Sequence, residues 1–209
     1  MSLMHKPMSP AFSLLFRYGF NPGSSLVIDN AMSAQVAARA AVTTTLSGAA
    51  AGMTSLGLGF MRAKSWDLLA LCNGVLVGFV AVTAGAHVLE PWAAILDGAI
   101  ASVVFETMCW VFLYKFRIDD PLSAAPMHAF GGASGIIFVG LLAKQEYIQQ
   151  AYKRSDNYGL FYGGGGKLLA CQVVGLLVIA AWTMTNMFLF FSAFKALGGS
   201  LRIDPEDEV

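Results

Sequence analysis

Five stretches of this chain run for about twenty residues or more with few ionised side chains, and that property excludes most folds. They cover residues 32–60, 68–88, 92–114, 122–143 and 168–197. A sixth and weaker stretch, residues 9–28, carries Arg17 midway and Pro22 near its end. Twenty apolar residues in a helix match the hydrocarbon thickness of a bilayer, and only helices or closed barrels satisfy their backbone there. The expected fold class is therefore all-α: a polytopic membrane helical bundle, with residues 1–209 as one domain. Composition agrees. Mean hydropathy is +0.63, and 12% of residues are charged against about 25% in soluble domains. Formal net charge is zero, which gives no basic stripe for nucleic acid.

The charges fall mainly between the segments. A cytoplasmic C-terminus places seven Lys/Arg inside (Lys6, Arg62, Lys64, Lys115, Arg117, Lys195 and Arg202) and five outside (Arg39, Lys144, Lys153, Arg154 and Lys167). That is a thin positive-inside bias. Small residues crowd the segments 32–60, 68–88 and 122–143, and Gly74 and Gly78 form a GxxxG pair on the segment 68–88. Such residues let helix backbones approach closely in lipid. Cys72, Cys109 and Cys171 lie in apolar runs with no zinc spacing and read as packing residues. The GGGGK run ending at Lys167 lacks the phosphate-loop spacing and reads as a turn. No cofactor or metal site is expected, nor an enzyme, because no nucleophile–base pair or ligand cluster emerges.

Three places carry polar groups inside apolar sequence. At helical phase, Ala124, Ala125, His128, Gly131, Gly132 and Gly135 share one face, with His128 its one large polar group. A stripe of this kind packs against a neighbour or lines a narrow lumen. For His128 an interhelical hydrogen bond and a functional role stay open together. Asp97 and Glu106 lie nine residues apart, on opposite faces of one helix, so they do not form a catalytic acid pair. His87, just before Glu90, Pro91 and Trp92, reads as part of an interfacial helix end.

Several motifs follow one another along the chain. Residues 18–24 read YGFNPGS, residues 41–46 AVTTTL and residues 72–74 CNG. Residues 83–94 read TAGAHVLEPWAA, and residues 119–122 read DDPL ahead of His128. Residues 159–170 read GLFYGGGGKLLA, and the tail reads LRI followed by EDE. In this order they resemble the second half of a plant-type ammonium transporter of the Amt/Mep/Rh family, over nearly all of the chain after about Leu14.

The resemblance implies that the six segments correspond to the last six helices of an eleven-helix fold, with a pore in each protomer of a trimer. It implies transport of ammonium or ammonia across a lipid bilayer, with the plasma membrane favoured by analogy. Ser24 matches the serine that recruits ammonium at the outer vestibule, Phe20 one ring of the gate below it, and His128 the second of two pore histidines. The first histidine belongs to the half of the fold that the matched segments leave out. Independent transport is therefore not expected. The alternative is a non-conducting structural or regulatory fragment that associates with full-length protomers. Arg17 stands where the family has Trp, Pro126 where it has Gln, and Asp97 and Phe130 where it has small neutral residues.

Overall fold

The computed structural model describes residues 17–154 and 156–201. All regular structure among the described residues is helical. The helices are α1 (Ala31–Ala63), α2 (Leu68–Val82), α3 (Pro91–Trp110), α4 (Gly131–Leu142), α5 (Gln145–Tyr152) and α6 (Lys167–Ala196). Single π-helical turns cover Val111–Phe116, after α3, and Ala125–Phe130, before α4. By packing, the chain falls into two compact units, residues 1–172 and 173–209. The second begins inside α6, a helix with no buried residue.

Local chemistry sets the helix ends. Asn30 caps α1 by accepting from the Ser33 N–H at 3.0 Å. Asp67 does the same for α2 from the Leu69 N–H at 2.8 Å. Pro91 opens α3, where its missing N–H costs nothing. The Asp120 carboxylate accepts from the Ala124 and Ala125 N–H groups at 3.0 and 2.8 Å, so it caps the run leading into α4. Lys64, Arg117 and Lys153 end their helices in the left-handed region, and each of these cations sits at the negative end of a helix dipole.

The sequence boundaries differ from these in instructive ways. The expected first span lies partly outside the described residues. Its described part is helical only through Phe20, and Gly23–Ser25 follow as a 3-10 turn rather than a helix continuing to residue 28. The expected segment 68–88 is helical only to Val82, and the chain then turns, with Gly85 donating to the Val82 carbonyl and accepting from Val88 and Leu89. Pro126 lies in a π-helical turn, which accommodates a residue without an N–H. By length and composition, three stretches suffice to cross a membrane: Pro91–Phe116, Ala125–Leu142 and Lys167–Ala196. The 33-residue α1 is long enough at about 1.5 Å per residue, but Thr, Ser and Gly make it less apolar.

Those small residues are where the first unit is built. α1 packs most extensively against α2 and α3. A Cβ on Gly74 would stand 2.7 Å from the Ala51 carbonyl oxygen, and one on Gly78 would stand 2.6 Å from that of Ser47. Gly98 brings α3 against the Ser47 backbone in the same way. Between these contacts the α1 hydroxyls find partners on other elements. Thr43 donates to the Ala86 carbonyl at 2.8 Å, Ser47 to that of Gly78 at 2.9 Å, and Ser55 pairs with Ser102 at 2.8 Å. At the far end of α1, Arg62 forms an ion pair with Glu106 of α3.

One polar group breaks this pattern. Asp97 is 1% exposed, and neither carboxylate oxygen has a hydrogen-bond partner. An unpartnered buried polar group costs about 1–3 kcal/mol. Asp97→Ala is therefore expected to stabilise the purified protein by roughly that amount, less a small cavity term. Asp97→Asn, which keeps an unpaired polar group, should recover little. Thermal unfolding in detergent checks both, and a destabilised Asp97→Ala would mean that the carboxylate has a partner after all.

Candidate functional site

The turn after the first helical segment holds two of the three expected site residues together. Asn21 is 1% exposed; its amide donates to Thr44 of α1 at 3.1 Å, and its oxygen accepts from Thr83 at 3.3 Å. This buried side chain ties the turn to two neighbouring elements. Tyr18 adds a hydrogen bond to Thr45. On the fixed turn, the Ser24 hydroxyl donates to the Phe20 carbonyl at 2.6 Å. Its oxygen lone pairs stay free to accept, and the Phe20 ring beside it is 55% exposed. Arg17, one helical turn earlier, holds its guanidinium carbon 5.5 Å from the Phe20 ring centroid. Asn21, Thr44 and Thr83 lie in the quoted motifs, but no role was assigned to them from sequence. The signal available was three polar residues in otherwise apolar or turn sequence.

Ser24 also lines a recess of about 390 Å³ with His87, Gln150 and Lys153. The His87 Nε2 is buried without a partner. The recess places Ser24 at the end of the first unit where α3 begins. A polar cluster marks that end. The Glu90 carboxylate accepts from Lys144 at 2.7 Å, Tyr162 at 2.5 Å and Trp92 at 3.1 Å. Arg39 crosses nearby, donating to the His87 carbonyl at 3.0 Å and to Gln150, with its guanidinium over the Tyr147 ring.

The hydrogen bonds from Lys144 and Tyr162 hold the Glu90 carboxyl down at about 2, against 4.5 ordinarily. A carboxyl depressed in the folded state contributes stability above its unfolded value, and loses it as the pH falls through the folded value. The protein should thus lose thermal stability between about pH 4.5 and about pH 2. Glu90→Gln should be less stable at neutral pH and show a flatter profile across that window. An unchanged profile in the variant would assign the acid loss elsewhere.

His128 stands apart from this end. It lies in the π-helical turn next to the Asp120 cap and is exposed. The small-residue stripe expected around it is split. Gly131 packs on Val77 and Gly135 on the Ala81 backbone of α2, while Pro126 and Met127 are buried. The cause is the wider i→i+5 turn, which shifts the phase of residues before Gly131 relative to those after it. His128 therefore faces out while the glycines face α2. Among the described residues its side chain has no hydrogen bond, and no group of three or more possible metal ligands is present.

Residues 11–209 match the Ammonium Transporter Family. The chain is 44% identical to ammonium transporter 1 member 2 of Arabidopsis thaliana over 207 residues, covering 92% of this chain and 38% of the relative. It is 42% identical to ammonium transporter 1 member 1 of Oryza sativa subsp. japonica, covering 91% of this chain and 40% of that protein. The chain thus spans about two fifths of these relatives, which are transporters and not enzymes. The crystal structure of Saccharomyces cerevisiae Mep2 superposes with a TM-score of 0.83 at 23% identity, over 94% of this chain and 43% of the other. A sensor Amt protein gives 0.80 at 26% identity, over 95% and 45%. With its apolar helices and this match along almost its whole length, the chain is an integral membrane protein that belongs to the ammonium transporter family.

Proposed function

We propose that this chain carries part of an ammonium pore, with Phe20 and Ser24 at its outer mouth and His128 further along it. The observation that carries the reading is the clamped turn. Asn21 fixes the backbone, and the Ser24 hydroxyl spends its proton on the Phe20 carbonyl, leaving acceptor lone pairs beside an exposed aromatic face. Lone pairs and a ring face are what a small cation with N–H donors needs. A bare ammonium ion is very costly in an apolar lumen and neutral ammonia is not, so a relay that separates the proton lowers the barrier. A neutral imidazole has one donor and one acceptor, which suits His128 to hydrogen-bond ammonia or pass a proton. On this reading the C-terminus is cytoplasmic, the membrane is the plasma membrane and the assembly is a homotrimer.

A second reading, a non-conducting subunit associating with longer protomers of the family, is favoured by the exposure of His128, which no described residue of the chain walls in. Uptake of radiolabelled methylammonium separates the two. The chain is expressed in transporter-deficient cells, alone and with the helices that a plant relative has outside the matched region. Uptake only in the combined cells supports the pore reading; none in either supports the second.

A further inference from the structure

Resting on the reading of Phe20 as a cation face, we propose that Arg17 is a tethered cation that occupies this face and competes with ammonium for it. The guanidinium carbon lies 5.5 Å from the ring centroid, inside the distance at which a cation is held by an aromatic face. Arg17 precedes Phe20 by three residues on one helical turn, the spacing that brings side chains onto a common face. Among the described residues no carboxylate neutralises it. The ion pairs among the described residues are Arg62–Glu106 and Lys144–Glu90, and no carboxylate pairs with Arg17. A guanidinium without an acid beside it is held by an aromatic face, and here that face is the ring proposed to receive the transported cation.

A cation tethered by a few residues acts at an effective concentration on the order of millimolar or higher, so free ammonium must reach that range to displace it. Arg17 then sets the affinity of the mouth. The contact also explains how an arginine is tolerated at this position, where the resemblance has Trp.

The test measures binding of methylammonium to the purified full chain in lipid nanodiscs, with sodium as control. Arg17→Gln is expected to bind roughly tenfold more tightly than the parent, the range that one released cation–π contact spans. Arg17→Lys, which keeps a cation over the ring, should stay near the parent value. Phe20→Leu in the Arg17→Gln background should cancel the gain. A gain in Arg17→Gln that Phe20→Leu leaves intact would overturn the proposal, because the ring is then not what Arg17 occupies. Equal affinity of parent and Arg17→Gln, with Phe20→Leu weakening both, would overturn it too and leave Phe20 as a cation site. Absence of binding in every variant would remove the cation site and the proposal with it.

Discussion

Replacing Gly98 with leucine is expected to unfold the first unit or cost it at least about 3 kcal/mol, toward the upper end of what overpacking produces. Gly98 is the contact through which α3 reaches α1. A side chain there meets the Ser47 carbonyl oxygen and carbon and the Ser47 hydroxyl, and two of these three atoms are backbone. Flexible side chains yield by tenths of an ångström, whereas a helix backbone yields only if the helices separate. Separation would also break the Ser55–Ser102 hydrogen bond and expose both hydroxyls to a medium without water. Gly135→Leu should behave alike, since its Cβ would enter the Ala81 backbone. Gly57 is the control: nothing lies within 4 Å of its Cβ position. Gly57→Ala should be neutral or stabilising by up to about 1 kcal/mol, the helix-propensity difference alone. Thermal melts in detergent, with size-exclusion profiles, read all three. A Gly98→Leu protein that melts like the parent would refute the close crossing.

Substituting His128 by alanine is expected to lower methylammonium uptake by roughly tenfold or more in cells where the chain is supplied with the helices of a plant relative. One hydrogen bond lost in a desolvated site costs about 1–3 kcal/mol, and about 1.4 kcal/mol is tenfold. The chain alone should give no saturable uptake at a verified membrane level, because His128 lies open on its surface. A hydrated cation at an open face gains nothing from an imidazole that water does not offer. The His128→Ala effect should therefore appear only in the combined protein. Saturable uptake by the chain alone, or full uptake without His128, would each sink the pore assignment.

The helical class was legible because apolar runs of about bilayer length leave the backbone few alternatives. The phase of His128 was not. A projection at 100° per residue assumes an unbroken α-helix, and the π-helical turn at Ala125–Phe130 violates that assumption just where the histidine sits. Pro126 was the available warning. The partner of Glu106 was equally out of reach from sequence, because Arg62 lies 44 residues away on another helix. The end of α2 at Val82 depends on the turn hydrogen bonds around Gly85, which hydropathy does not report. Phe20 and Ser24 came from a motif, whereas Asn21, which anchors their turn, shows its importance only through burial and two hydrogen bonds.

The contrast between α1 and α6 bears on how the protein is made. α6 is long and apolar enough to partition into lipid unaided. It needs no companion to leave the translocon. α1 is different: Ser47 and Ser55 find their partners, the Gly78 carbonyl and Ser102, only on later parts of the chain. Released alone, it would carry unmatched hydroxyls and glycine grooves into hydrocarbon. Biogenesis is thus expected to retain α1 at the insertion machinery until α2, four residues beyond its C-terminal Lys64 cap, and then α3 emerge to pair with it. The least apolar long helix then waits for its neighbour, and the most apolar one crosses by itself.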